Sequence, residues 1–590
     1  MGTGIDWLKN LLFFQEPQKI EKFIIKETET QEITQNQKEQ SVKKPIPSKV
    51  KNKALLLNKF ASKLTGTRNK GDESGKQETE ASEISRNIHE NMEYMKKIYS
   101  IPQSGDMILR EFDITVKDRA ISAFILFYDG MVEKKTVNEF ILQPLMMFSN
   151  MDIKNKEKDV AKYVRKCLLP QNQLIEIKKY SKVIERVNFG ACALFIDGVD
   201  MVFVSDVKGW EHRAVERPNT ELVIIGPQEG FTELLRVNTA LIRKIVKDED
   251  LVAEDIMIGK RSKTPCSMMY IKDIANDSLV NEVRRRLESI KIDYIIGIGQ
   301  LEQLIEDSTF FYSPQVVLTE RPDRVASMLV EGKVAVVMSG SPFVVIVPAT
   351  FSDLLHSSED SYIRFPYANL LRIVRILGII LTILLPGLYV AITNYHHEMI
   401  PTDLLLAIEA AREKVPFPSV VEILIMEISL ELIREAGIRI PGPIGPTLGI
   451  IGALILGQAA VAANIISPIM IIIVALTGIG SFAVPNYSLA FALRILRFGY
   501  IILGAVAGFL GITFGLFLQG IFSVSIKSFG IPMTVPFAPR VKRTEQDTIL
   551  RAPMWKQEWR PEFLNTKDRI KQPKISRGWT AQDSEDKDNE

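Results

Sequence analysis

Reactive and metal-binding side chains are scarce in this 590-residue sequence, which holds 3 cysteines and 5 histidines. Cys167, Cys192 and Cys266 stand apart, with no C-x-x-C pair. That excludes a disulfide framework or a cysteine zinc site and fits a reducing compartment. No H-E-x-x-H is present, and His396-His397-Glu398 is the nearest thing to a metal motif. Adjacent histidines point in different directions on a helix, so they do not share an ion. No Ser/His/Asp set can be assembled, since His89 falls in a polar leader. There is no P-loop: Gly449–Gly457 is glycine-rich but lacks lysine. No enzyme activity and no cofactor are expected. No cleavable signal peptide is expected either, because Met1–Phe14 has one short apolar run and no small-residue cleavage site. That run, Trp7–Phe14, reads as a weak amphipathic helix on a membrane surface or as a loose tail. The basic face at Arg284, Arg285 and Arg286 is short and lacks interleaved aromatics, so no nucleic-acid partner is expected.

Long apolar runs are missing from the front half and crowded into the back third. The clearest are Leu370–Thr393, Thr447–Ile465, Pro468–Val484 and Phe498–Phe522. Each is near or above the roughly 20 residues that cross a bilayer core of about 30 Å. The pattern predicts a multi-domain chain: a cytoplasmic mixed α/β region of two subdomains, then an α-helical polytopic membrane domain in contact with lipid. The boundaries read as a disordered polar leader over 1–103, subdomains over 104–225 and 226–363, a membrane domain over 364–526 and a basic cytoplasmic tail over 527–590. Arg364, Arg372 and Arg375 at the start of the first span place the front half inside. Arg540–Arg577 carries 11 Lys or Arg against 5 acidic residues and belongs on the same side. An even number of crossings follows, and the four spans supply it. Arg494 and Arg497 then fall outside, against the rule.

Two features of the back third carry possible function. Ser419–Ala436 is apolar, yet Glu427, Glu431 and Glu435 recur every four residues on one face. An ionised carboxylate in lipid costs about 2.5–3.5 kcal/mol. The helix is therefore expected at the interface or beside a water-filled vestibule, its acidic face either simply solvated or, with several copies around an axis, a ring that concentrates cations. Gly504, Gly508, Gly511 and Gly515 form a G-x-x-x-G-type face on the last span, suited to close helix packing. Gly449, Ala453, Gly457, Ala460 and Asn464 make a similar stripe, either for packing or for lining a narrow pore.

The leader is mostly Lys, Glu, Gln, Thr and Ser, with a transient helix possible at Ala54–Leu64. In the front half, strands are expected at Asp106–Val116, Ala120–Tyr128, Leu251–Gly259, Cys266–Lys272, Val316–Thr319, Val334–Met338 and Phe343–Pro348, with a hairpin at Ala191–Ile196 and Met201–Asp206. Helices are expected at Val137–Phe148, Asp159–Leu169, Gln173–Val187, Phe231–Val246 and Ser278–Ile290. Glu216-Arg217-Pro218 and Glu320-Arg321-Pro322 echo each other, and either arginine suits a bidentate carboxylate pair.

Several motifs in order carry a resemblance. The run from Ser313-Pro-Gln-Val-Val-Leu-Thr-Glu-Arg-Pro to Gly340-Ser-Pro-Phe is similar to the A subunit of the GerA family of spore germinant receptors. So are Gly226-Pro-Gln-Glu-Gly-Phe-Thr-Glu, Ile455-Leu-Gly-Gln-Ala-Ala-Val and Ser528-Phe-Gly-Ile-Pro. The resemblance spans about Met107 to Pro539 and implies a multi-pass protein of the bacterial spore inner membrane. It implies a permease-like B subunit and a lipoprotein C subunit as partners, and a homo-oligomer, a pentamer, that conducts small cations when nutrients arrive. The family's channel-lining helix corresponds to Thr447–Ile465, which makes Gln458, Val461 and Asn464 the pore-lining candidates. Ala463-Asn464 stands where the family would lead one to expect a glutamate-containing step. A secondary transporter is the rival reading, with a scaffold of the dipicolinate-release machinery as the paralogous one.

Overall fold

A computed structural model describes residues 83–116, 119–147, 160–171, 173–209, 217–218, 220–309, 312–439, 457–541 and 547–573. The expectations for Trp7–Phe14 and Ala54–Leu64 lie outside these residues, as do Gly449 and Ala453. Order starts earlier than residue 104. Helix α1, Ile88–Ile98, is capped by Asn87, whose side chain accepts from the His89 amide at 3.0 Å. Its Ile88, Met92 and Met95 recur at helical spacing and are buried on the first sheet. This apolar stripe gives the end of the polar leader a surface to bury, which the composition of the whole leader conceals.

That sheet comprises β1 (Met107–Val116), β2 (Arg119–Tyr128), β3 (Leu174–Ile177), β4 (Cys192–Ile196) and β5 (Val202–Ser205), all antiparallel, in the order β1-β2-β4-β5-β3. Gln173–Val187 is not one helix: it splits into β3 and α2, Tyr180–Asn188. Leu174 to Ile177 pair with Val202 to Ser205, and this edge pairing overrides the local helical pattern. Strand residues alternate between two cores. Phe124, Leu126 and Phe195 face α1 and α2, while Ile125, Leu194 and Phe203 face the short helical turns of Lys134–Met147 and Val160–Leu168.

The second sheet repeats the first. After α3 (Leu235–Ile245) come β6 (Leu251–Ile258), β7 (Thr264–Ile271), α4 (Asp277–Glu288), α5 (Ile298–Ile305), β8 (Val317–Thr319), α6 (Pro322–Val330), β9 (Val334–Met338) and β10 (Val344–Val347). The order β6-β7-β9-β10-β8 matches the first sheet strand for strand. The Glu-Arg-Pro echo does not mark this repeat: one copy follows β5, the other follows β8. Arg321 instead ties the chain locally, pairing both nitrogens of its fork with Asp323 at 3.1 and 2.8 Å and donating to the Pro227 carbonyl at 2.9 Å. The two units meet at Arg243 on α3, buried against Asp106 with contacts of 2.5 and 2.8 Å. Burial works against this guanidinium charge, but Asp106 outweighs it and holds the pKa above the ordinary value.

Beyond the sheets stands a helical bundle. It contains α7 (Phe365–Tyr395), α8 (Thr402–Arg412), α9 (Ser419–Arg439), residues 457–462, α10 (Pro468–Phe482) and α11 (Tyr487–Ser525). Among the described residues, α7 and α11 are long and apolar enough to cross a membrane. Phe498–Phe522 is not one straight span. At Gly508, φ is 57° and ψ −137°, and the chain reverses. The Tyr500 hydroxyl reaches Gln519 at 2.5 Å, and Gly515 packs on Leu503, contacts that a straight rod forbids. The chain then re-enters the second sheet unit, where the Ser528 hydroxyl donates to the Gln315 carbonyl at 2.6 Å and accepts from the Ala349 amide at 2.9 Å.

The described part of the tail is folded. Its Arg560 donates to the Val330 carbonyl at 2.8 Å, and Lys567 pairs with Asp277 at 2.6 Å. Arg372 is buried between Asp360 at 3.2 Å and Asp547 of the tail at 2.6 Å, and Arg375 joins Asp360 at 2.7 Å. Burial disfavours the Asp360 charge, yet Arg375 and Arg372 prevail and keep its carboxyl below the usual range.

Candidate functional site in the helical bundle

Contacts along the bundle fix the direction of each helix. Gly378 and Thr382 of α7 meet Gly480 and Thr477 of α10, so the two run antiparallel. Gly387 of α7 meets Tyr500 and Gly504, and Tyr395 meets Ala505, so α7 and the first arm of α11 run parallel. A Cβ on Gly504 would sit 2.5 Å from the Gly387 carbonyl oxygen, and one on Gly387 would sit 2.6 Å from that of Tyr500. These glycines let two backbones touch. The four-glycine face is thus split: Gly504 serves α7, Gly511 and Gly515 serve the return arm, and Gly508 makes the turn.

Side chains close the turn. The Tyr395 hydroxyl donates to the Ala505 carbonyl at 2.8 Å, with the Val506 carbonyl at 3.0 Å. His396 Nε2 accepts from the Phe509 amide at 3.4 Å. One residue covers the carbonyls that end the first arm and its neighbour covers an amide that starts the second, groups that a helix break leaves unpaired.

The acidic helix is inside the bundle, not along its surface. Arg497, wholly buried on α11, lies 2.8 Å from the equally buried Glu427. Glu431 gathers Arg494 at 2.8 Å, Arg497 at 3.1 Å and Arg434 at 3.3 Å. Arg434 also donates to the Ser481 hydroxyl at 3.0 Å, which ties α10 into the set. Glu435, a turn further on, is exposed. The three carboxylates therefore pass from buried to open along α9. Isolated carboxylates could not lie here, and the arginines remove the obstacle that had placed this helix at an interface. The positions of Arg494 and Arg497, awkward in a four-span scheme, have the same cause. The sequence held the signal: Glu427 and Glu431 at i, i+4 and Arg494 and Arg497 at i, i+3, opposite charges in two apolar settings.

A second polar group closes the far end. Glu422, fully buried, accepts from the Ser467 amide at 2.9 Å and lies 3.5 Å from Arg412. Ser467 caps α10, so this carboxylate meets a helix N-terminus of favourable sign. The Ser419 hydroxyl donates to Asn394 at 2.7 Å.

The pore-lining candidates sit beside that end. Gln458 and Asn464 are exposed and Val461 is half-buried. Asn464 is not in mid-helix. Its φ is 53°, the Ile465 amide donates to Ala460 and the Asn464 amide to Val461, the bonding of a Schellman helix end. Asparagine tolerates this left-handed backbone where most residues do not. Among the described residues no group of three His, Cys, Asp or Glu side chains could hold a metal ion.

The family profile described as "Bacillus/Clostridium GerA spore germination protein" matches residues 93–563. "Spore germination protein KA" of Bacillus subtilis is 39% identical over 512 residues, covering 86% of this chain and 93% of its own. "Uncharacterized membrane protein YfkQ" of the same organism is 37% identical, covering 81% of this chain and 91% of its own. A crystal structure of the N-terminal domain of the A subunit of the Bacillus megaterium spore germinant receptor GerK3 is 30% identical, covers 46% of this chain and 98% of that domain, and aligns with a TM-score of 0.35.

Proposed function

From the premise that the chain belongs to the Bacillus/Clostridium GerA spore germination family, we propose that it is the A subunit of a nutrient-germinant receptor in the spore inner membrane. It works without catalysis, beside permease-like B and lipoprotein C partners, and several copies form a cation channel. Its chain crosses six times: α7 outward, α9 inward, the expected span Thr447–Ile465 outward (only 457–465 of it among the described residues), α10 inward, then the two arms of α11 outward and inward. The sheets and the tail both stay in the cytoplasm.

The supporting observation is the reversal at Gly508, which returns the chain to the sheets from which α7 departed. An even number of crossings is kept, with two more than the apolar runs suggested. Gln458 and Asn464 are polar and exposed on one copy, next to the distal end of the bundle. A ring of copies would turn such side chains toward a shared axis. The transporter reading draws on broken helices at mid-membrane. Here the break lies at the tip of a hairpin, with Tyr395 and His396 closing it, so it is a turn and not a midplane binding site.

The test is potassium efflux from spores given nutrient. Val461→Phe should slow release while the receptor still accumulates, and Gln458→Ala should alter rate or leak. Release unchanged in both variants, at normal protein levels, would count against the channel.

A further inference from the structure

Around the foot of α7 the soluble part exposes apolar side chains with no role in either sheet core. Leu222, Ile224 and Ile225 project from a loop, Ile224 with 89% and Leu222 with 69% of its surface open. The loop is held there: the Ile224 amide donates to Glu359 at 3.4 Å, and Gly226 packs on the Tyr362 ring, three residues before α7 begins. From the tail, Ile549, Leu550 and Met554 are exposed beside the first turns of α7. Asn369 fixes them, accepting from the Arg551 amide at 2.7 Å and donating to the Arg551 carbonyl at 3.2 Å. Trp555 stands edge-on to Phe365, ring centres 6.4 Å apart.

We propose that Leu222–Ile225 and Ile549–Trp555 form an apolar collar seated in the lipid headgroup layer around the foot of α7. This rests on the membrane reading of α7 above and adds where the soluble part meets the bilayer. The length of α7 points to lipid and not to a protein partner. Its 31 residues span about 46 Å, more than the roughly 30 Å hydrocarbon core and close to the 40–45 Å that includes headgroups. The foot at Phe365 therefore lies at headgroup depth, and the collar is level with it. The collar is continuous with the apolar outer face of α7 at Leu370 and Ile373, while Arg372 and Arg375 turn inward to Asp360. Tyr367 and Trp555 are aromatic residues of the kind favoured at that depth. Arg364 and Lys556, both exposed, add the positive charge that anionic headgroups attract.

The test uses the full chain with Cys167→Ser, single cysteines carrying nitroxides, in bilayers of equal parts phosphatidylethanolamine and phosphatidylglycerol. Labels at Ile224 and Leu550 should meet dissolved oxygen more, and a water-soluble nickel chelate several-fold less, than a label at Met257, an exposed residue of β6. Their depth should be shallower than that of a label at Ile380 on α7. If both read as aqueous as Met257 while Ile380 reads as lipid, the collar is wrong and the membrane reading stands. If both are shielded from oxygen and chelate alike, protein covers them and the lipid assignment falls. If Ile380 itself reads as aqueous, both proposals fail together.

Discussion

Arg497 and Glu427 are each other's main compensation for burial, and removing one strands the other. Breaking such a pair costs about 3–5 kcal/mol, whereas replacing both partners with neutral groups of similar size is often near neutral. Arg497→Ala should therefore lower the melting temperature of the detergent-purified chain sharply, and Arg497→Met with Glu427→Gln should recover most of the loss. Gly508 carries a different constraint. Its φ of 57° with ψ of −137° excludes side chains, so Gly508→Ala should cost about 1–3 kcal/mol and show as poor accumulation in the membrane. Glu302 on α5 and Glu306 at its C-cap provide a pH test. Burial, then the neighbouring Glu306 and Asp307 charges respectively, raises each from 4.5 to about 7. The folded protein thus keeps protons that the unfolded chain releases, so stability is lost as pH rises from about 4.5 to about 7. Glu302→Gln with Glu306→Gln should lessen the fall in melting temperature between about pH 5 and about pH 8, and an unchanged slope would show that these groups are not desolvated.

At the level of elements, the first apolar run announced itself and became α7, which carries Pro386 inside it yet continues, and its charges lie at one end. The last run announced its length but not its shape. Its glycines recur at a spacing that suits a packing face, and a left-handed glycine leaves no trace in that periodicity. The reversal shows only in three dimensions, in the pairing of Tyr500 with Gln519 and the packing of Gly515 on Leu503. The acidic helix was visible as an element and misplaced as a neighbour, since Arg494 and Arg497 are supplied by α11 from some 65 residues away, their separation from Glu431. Packing between α7 and α11 depends on backbone contact at Gly387 and Gly504. Gly504→Leu should force the helices apart, and a disulfide between cysteines placed at Leu388 and Ile501 should form less readily in that variant than in its parent.

Across the whole molecule, strands with buried β-branched runs, such as Val334–Met338, were readable because both faces of the sheet are covered. The repeat of strand order was not, since it lives in hydrogen-bond pairing and the two units share no sustained residue pattern. The ordered tail was also hidden: its basic composition suggests solvent, while Arg551 and Arg560 donate instead to carbonyls of the segment before α7 and of the second unit. These contacts bind tail, sheets and the foot of α7 into one base beneath the helices. Whether that base lies on one side of the membrane is decided by the turn at Gly508.

Single cysteines at Met257, Met399 and Lys556, in the Cys167→Ser chain, should be probed with a membrane-impermeant maleimide before and after the membrane is opened. The account predicts that Met399 labels from one face while Met257 and Lys556 label together from the other. Lys556 labelling with Met399 and not with Met257 would contradict it, because the last helix would then cross once without turning back.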